Sequence, residues 1–95
     1  MYKRLSELEK GKEYEILDYN LKFVESLNKN ILNVTINIDG LECSVGLPDK
    51  IKRRFEALSR SEQDEIIGRK FKYDIKCFSK PDGVEIIYYN VKFVV

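Results

Sequence analysis

Residues 31–47, with the sequence ILNVTINIDGLECSVGL, predict a β-hairpin. Apolar side chains alternate with polar ones on both sides of Asp39 and Gly40, which is the period of a strand with one buried face. Asp and Gly both tolerate the positive φ angles that a two-residue hairpin turn requires. The predicted core positions are Leu32, Val34, Ile36 and Ile38 on the first strand and Leu41, Cys43, Val45 and Leu47 on the second.

Residues 14–26, upstream of this hairpin, also alternate with the period of a strand, but the alternation shifts by one position between Ile16 and Leu17. One extra residue in a strand moves every later side chain to the opposite face of a sheet. We therefore predict one long, bent strand with a β-bulge at this point. Two short strands are the alternative interpretation.

Downstream of the hairpin, the pattern changes to that of a helix. Pro48 ends the hairpin, and the Asp49 carboxylate can cap the free amides of a helix that begins there. Ser61 opens a second short helical turn with a pattern like a capping box, and Gly68 is suited to end it. The apolar stripe of the first helix consists of Ile51, Phe55 and Leu58.

Two further strands complete the chain. In the fourth, Phe71, Tyr73, Ile75 and Cys77 alternate with Lys70, Lys72, Asp74 and Lys76. A turn over residues 81–83, with the sequence PDG, connects it to a fifth strand over residues 84–95. The predicted inward set of the fifth strand is Ile87, Tyr89, Val91, Phe93 and Val95; the opposite phase would instead bury Ile86 and Tyr88.

This order of three strands, a helix and two strands predicts an all-β protein with one helix. The order argues against a doubly wound sheet, which requires strands and helices to alternate. The order is that of the five-stranded Greek-key OB-fold barrel, with a helix between the third and fourth strands; a split barrel or an α+β sandwich remains open. We expect one domain spanning residues 1–95, in which residues 1–11 form a lead-in segment whose Leu5 and Leu8 contact the core.

Composition limits the classes of function. The 95 residues carry 17 basic and 16 acidic side chains and no His, so there is neither an imidazole base nor an imidazole metal ligand. Two Cys are too few for a Cys-only zinc site, and Glu7, Glu9, Glu13 and Glu15 resemble a solvated face more than a catalytic pair. No apolar run approaches membrane-spanning length, and the first residues lack the apolar core of a secretory signal. We expect an intracellular protein of the cytoplasm or nucleus, without catalytic residues, cofactor, metal or membrane.

Two stretches carry a resemblance to a known family. Residues 8–16, LEKGKEYEI, and residues 46–55, GLPDKIKRRF, followed by Leu58 and Ser59, resemble small OB-fold single-stranded-DNA-binding proteins of DNA viruses and mobile elements. The resemblance implies a ligand lying across the second and third strands, between the loops that join strands 1 to 2 and 4 to 5. On that face, the second strand presents Asn33, Thr35 and Asn37, and no aromatic residue accompanies them.

Positive charge is concentrated late in the chain. Between Arg69 and Lys80 there are five basic residues and one acidic residue, a local field that can attract phosphate although the whole chain has a net charge of +1. The candidate phosphate ligands are Lys70, Lys72 and Lys76 on the fourth strand, Lys80 in the loop after it and Lys29 in the loop between strands 1 and 2. Phe78 shares the phase of Lys72 and Lys76 and is a candidate platform for stacking bases. Tyr88 is a second candidate, since the phase predicted for the fifth strand places it outward. A lysine-rich face that only keeps a sheet soluble is the alternative interpretation.

These features predict a protein that binds single-stranded DNA or RNA, more specifically DNA. The alternative is an OB-like protein-interaction module that self-associates through its C-terminal strand, because residues 91–95 are rich in aromatic and β-branched residues. Its partner would be a second copy or another protein. Binding of double-stranded RNA and inhibition of a host enzyme are two further classes that the sequence does not weigh.

Overall fold

Strands make up half of the computed structural model, which describes residues 1–94. Two short α-helices lie between the fifth and sixth strands, and single 3-10 turns cover Leu5–Glu7 and Glu25–Leu27. The prediction of a mostly β protein with little helix is confirmed. The elements are β1 (Tyr2–Lys3), β2 (Tyr14–Glu15), β3 (Asp18–Val24), β4 (Lys29–Ile38), β5 (Leu41–Gly46), α1 (Asp49–Glu56), α2 (Arg60–Asp64), β6 (Lys70–Ser79) and β7 (Glu85–Val94).

The hairpin predicted from residues 31–47 is confirmed as β4 and β5, which pair in antiparallel register from Asn33 opposite Gly46 to Ile38 opposite Leu41. Asp39 and Gly40 form the turn with φ angles of 51° and 85°. The side chain of Asn37 supports the turn, since its Oδ1 accepts a hydrogen bond of 2.9 Å from the Gly40 amide. Local turn chemistry therefore sets the register of the central hairpin.

The shift in alternation between Ile16 and Leu17 marks the point where the chain passes from one sheet to the other. The Ile16 amide donates to the Arg69 carbonyl at 2.8 Å, whereas the Leu17 amide donates to the Thr35 carbonyl at 2.8 Å. β2 consequently pairs with β6, and β3 pairs with β4. The structure thus has the two short strands of the alternative interpretation rather than one continuous strand.

The two sheets enclose one hydrophobic core. The central positions of the β4–β5 hairpin are buried, and so are Phe55 and Ile66 from the helical segment. Leu5 and Leu8 of the lead-in segment are buried as predicted, whereas Leu41 is 59% exposed because it stands beside the hairpin turn. The remaining core positions are Leu32, Val34, Ile36, Cys43, Val45, Leu47, Tyr14, Ile16, Phe71, Tyr73 and Val91.

The sheets do not close into the predicted five-stranded barrel. One sheet has the order β1-β5-β4-β3 and the other the order β2-β6-β7. Closure would require β7 to pair with the edge of β5 that faces away from β4. That edge is occupied by β1, which pairs with it in parallel from Tyr2 opposite Ser44 to Lys3 opposite Val45. The lead-in segment was predicted only to contact the core, so its contribution of an edge strand corrects the predicted topology.

The helical segment differs from the prediction in its details. Pro48, rather than Asp49, occupies the position before α1, and Asp49 is its first residue. The capping box of α2 is formed by Ser59 and Glu62, two residues earlier than the Ser61 pattern indicated. Gly68 has the predicted left-handed conformation, with φ of 90°. The chain therefore has two short α-helices where one helix and a turn were expected.

Candidate nucleic-acid interface

The distal half of the β6–β7 hairpin has both faces exposed. β2 pairs only with the first two residues of β6, Lys70 and Phe71. Beyond Tyr73, β7 is the only strand paired with β6 within residues 1–94. Every residue from Asp74 to Tyr89 is exposed to solvent. We call this segment, Asp74 to Asn90, the arm.

The register of the hairpin defines which side chains share a face. Residues directly opposite each other in an antiparallel pair point to the same side. Lys72 lies opposite Lys92, Lys76 opposite Tyr88 and Phe78 opposite Ile86. We call this side the outer face. It consists of Lys70, Lys72, Asp74, Lys76, Phe78, Ile86, Tyr88, Asn90, Lys92 and Val94.

Two aromatic rings stack on the outer face. The ring centroids of Phe78 and Tyr88 are 5.3 Å apart, and the ring planes are inclined by 25°. The two residues remain 54% and 37% exposed. Because each ring presents a surface to solvent beside its partner, the pair offers a flat platform of the kind on which nucleic-acid bases stack.

The lysines of the outer face form no ion pairs among the described residues. The four ion pairs within residues 1–94 lie elsewhere: Lys3–Glu7, Lys29–Asp49, Lys52–Glu56 and Arg60–Asp64. Asp74, the one carboxylate on the outer face, accepts a hydrogen bond of 2.8 Å from the Ile75 amide. The positive charge of this face is therefore available to an anion.

Lys80 lies at the end of the arm, where the turn is held by its own hydrogen bonds. The Lys80 amide donates to the Val84 carbonyl at 2.8 Å, and the Gly83 amide donates to the Lys80 carbonyl at 2.9 Å. The Asp82 carboxylate accepts from the Val84 amide at 3.0 Å. The turn thus carries one cation, Lys80, and one carboxylate, Asp82.

Lys29 does not join this group. Its Nζ lies 3.1 Å from Oδ2 of Asp49, the first residue of α1. The hydrogen bond from Lys29 lowers the pKa of the Asp49 carboxyl. The loop position of Lys29 suggested a free cation, but an acidic residue twenty positions later in the chain is its partner.

Asn33, Thr35 and Asn37 lie in the other sheet, on the face of β4 opposite to the core. Asn37 is engaged with the hairpin turn, and the Asn33 Oδ1 atom is buried without a hydrogen-bond partner among the described residues. Tyr2 of β1 reaches this face: a Cβ atom built on Gly46 would lie 3.0 Å from its hydroxyl. The predicted site residues are therefore divided between two sheets.

Sequence reasoning missed two residues that belong to these surfaces. Lys92 joins Lys72 on the outer face, and the regular alternation of the fifth strand could have identified it. Tyr2 supplies an aromatic ring to the β4–β5 surface, where none was expected. No local signal identifies Tyr2, because its placement depends on the parallel pairing of β1 with β5, about forty residues away.

Within residues 1–94, no cluster of three Cys, Asp or Glu side chains is arranged to hold a metal ion, and no helix is long and apolar enough to cross a membrane. Exposed ammonium groups beside stacked rings are suited to bind anions and flat π systems. Comparison with protein-family models, with curated proteins and with solved structures finds no match to this chain.

Proposed function

We propose that this protein binds single-stranded nucleic acid on the outer face of the β6–β7 hairpin, with single-stranded DNA as the preferred ligand. The observation that carries the proposal is the placement of several lysines, none in an ion pair within residues 1–94, and the Phe78–Tyr88 stack on one side of one hairpin. Single-strand binding combines a positively charged track for phosphates with aromatic surfaces for bases. Both components are present here on adjacent positions.

The spacing along β6 fits an extended ligand. Successive residues of a strand advance by about 3.3 Å, so Lys72 and Lys76 are roughly 13 Å apart along the strand and Phe78 follows roughly 7 Å further on. Lys92 stands opposite Lys72, and Lys70 precedes both. A strand of nucleic acid along this line meets phosphate ligands first and the stacking platform after them.

The proposed architecture is an open relative of the OB-fold. Three features support it: the order of strands and helices, the crossing between sheets at Ile16 and Leu17, and the helical segment between β5 and β6. In an OB-fold the ligand lies on the second and third strands, here β4 and β5. We place the main contact on the arm instead, because Asn33, Thr35 and Asn37 offer no positive charge and Lys29 is paired.

Titration of a labelled oligo-dT at several salt concentrations tests the proposal. The logarithm of the binding constant should fall linearly with the logarithm of salt concentration, because phosphate contacts release counterions. Lys72→Ala and Lys76→Ala should each flatten that slope by about 0.7 to 1. Lys22→Ala, at an exposed lysine on β3, is the matched control and should leave the slope unchanged.

Absence of binding at the lowest salt concentration would contradict the proposal, since electrostatic contacts are strongest there. An equal effect of Lys22→Ala and Lys72→Ala would contradict the assignment of the site to the arm. A panel of single- and double-stranded DNA and RNA identifies the preferred ligand. Preference for double-stranded RNA would contradict single-stranded nucleic acid as the ligand.

A second candidate function is self-association through the other face of the arm. Ile75, Ile87 and Tyr89 share that face and are 42%, 62% and 38% exposed. Contiguous exposed apolar residues of this kind are typical of interaction surfaces. Ile87 and Tyr89 belong to the C-terminal strand, but they precede residues 91–95, the part of that strand through which the sequence suggested self-association.

Cys77 provides a built-in reporter for this second candidate. It lies opposite Ile87 on the same apolar face and is exposed, whereas Cys43 is 1% exposed. If two arms pack face to face, mild oxidation with diamide should link two copies through Cys77, and Ile87→Lys should prevent both the link and the dimer. Cys77→Ser is the control for the link. A monomer at every concentration in sedimentation would contradict self-association.

A further inference from the structure

A groove of about 710 Å³ runs between the helical segment and β7. Its volume lies within the range of about 300–1,000 Å³ that is typical of ligand sites. Apolar residues from both sides form its floor: Ile51, Phe55, Leu58, Ile66, Val91 and Phe93. This groove is separate from the Phe78–Tyr88 stack, which does not line it.

The groove exposes the edge of β7 rather than one of its faces. Four consecutive residues, from Asn90 to Phe93, line it. Alternate side chains of a strand point to opposite faces, so consecutive residues can line one groove only where the groove follows the edge of the strand. No strand pairs with this edge within residues 1–94. Its backbone amides and carbonyls are therefore positioned to pair with a further strand.

Charge on the walls of the groove favours an acidic occupant. Arg54, Arg69 and Lys92 line it, and none of them forms an ion pair among the described residues. Two carboxylates, Glu62 and Glu65, also line it. The Glu62 carboxylate is engaged by the Ser59 amide and hydroxyl, which lower its pKa. A lowered pKa keeps the Glu62 carboxylate charged, so the three cations and two carboxylates give the walls a net charge of +1.

We propose that this groove binds an extended, acidic segment of a partner protein as an additional strand on β7. Backbone amides and carbonyls of the segment pair with the edge of β7. Its alternate apolar side chains pack on the floor formed by Phe55, Leu58 and Ile66, and its carboxylates lie near Arg54 and Arg69. The free strand edge favours a peptide over nucleic acid, because only a polypeptide supplies amides and carbonyls at the strand spacing.

Fluorescence anisotropy with the labelled peptide EVDLEVD tests this site directly. We expect saturable binding by the full chain. A peptide with Lys at every acidic position should not bind. A third peptide, N-methylated at alternate residues along the side that faces β7, should bind at least about tenfold more weakly, since it cannot donate the edge hydrogen bonds.

Charge reversal locates the peptide. Arg54→Glu and Arg69→Glu should each weaken binding of EVDLEVD by about tenfold, because each variant replaces an attraction with a repulsion. Lys22→Glu carries the same change of charge on β3 and should bind the peptide normally. Circular dichroism spectra of all three variants should match that of the parent chain, which separates loss of the site from loss of the fold.

Three results would overturn the proposal. The first is equal binding of the N-methylated and unmodified peptides, which would show that attraction between charges is sufficient. The second is complete displacement of the peptide by oligo-dT, both in the parent chain and in the Lys72→Ala variant. That result would assign the groove to nucleic acid. The third is a stable dimer that the peptide does not dissociate, which would make a second copy the occupant. If oligo-dT does not bind but the peptide does, the proposed nucleic-acid site on the arm is wrong and the proposed peptide site in the groove stands.

Discussion

Replacing Phe71 with Ala is expected to lower the free energy of unfolding by about 3–5 kcal/mol, the range for truncating a buried Phe. Phe71 is fully buried, and its ring centroid lies 6.0 Å from that of Tyr14. It also lies opposite Tyr14 on one side and Phe93 on the other, so one side chain joins all three strands of its sheet. Since small domains are stable by about 5–15 kcal/mol, the variant should lie close to the unfolding threshold. Urea denaturation followed by circular dichroism measures the change.

Phe78→Ala is the matched control for stability. It removes the same atoms from the same strand, but Phe78 is 54% exposed. The expected loss is below about 1 kcal/mol, because little apolar surface is returned to water and no closed cavity is created. Equal losses in the two variants would contradict the assignment of Phe71 to the core and of Phe78 to the surface.

The same Phe78→Ala variant is expected to bind oligo-dT about 5- to 150-fold more weakly, which corresponds to about 1–3 kcal/mol of stacking per base. Its salt dependence should remain that of the parent chain, because a ring releases no counterions. Replacing Tyr88 as well removes the remaining surface of the stacked pair. Titration at one low and one moderate salt concentration separates this effect from the loss of a lysine.

Phe23→Ala is the control for binding. Phe23 lies on β3 in the other sheet and is also 54% exposed, so the two variants differ in location but not in exposure. The parent affinity should be retained in Phe23→Ala. Unchanged affinity for oligo-dT in the variant that lacks both Phe78 and Tyr88 would contradict their role as a stacking platform. Weaker binding by Phe23→Ala would instead indicate that the bases stack on the four-stranded sheet.

The outer face of the arm was predictable because it depends only on strand periodicity. Lys72, Lys76 and Phe78 occur at even spacings, so any strand through them presents them on one side. The phase chosen for the fifth strand also placed Tyr88 there, and the register confirms that placement. Val95, assigned to the inward set, lies outside the described residues.

The exposure of the arm was not predictable. Ile75, Cys77, Ile87 and Tyr89 alternate with polar residues as the core strands do, and the pattern therefore indicated a buried face. Whether such a face is covered depends on another part of the chain reaching it. Here β2 ends after two residues, so the packed part of β6 ends near Tyr73.

By itself, the sequence determined the features whose causes are local: the β4–β5 hairpin with its Asp39–Gly40 turn, the helical segment after Pro48, and the shift in alternation at Ile16 and Leu17, which it predicted as a bulge rather than as a break between strands. Backbone sterics and side-chain alternation act over a few residues and leave a readable pattern. Only the tertiary structure decided which edges pair. β1 occupies the outer edge of β5 and Asp49 engages Lys29, while among residues 1–94 no strand pairs with the edge of β7 beside the helices. These outcomes depend on contacts between distant parts of the chain, for which neighbouring residues carry no signal.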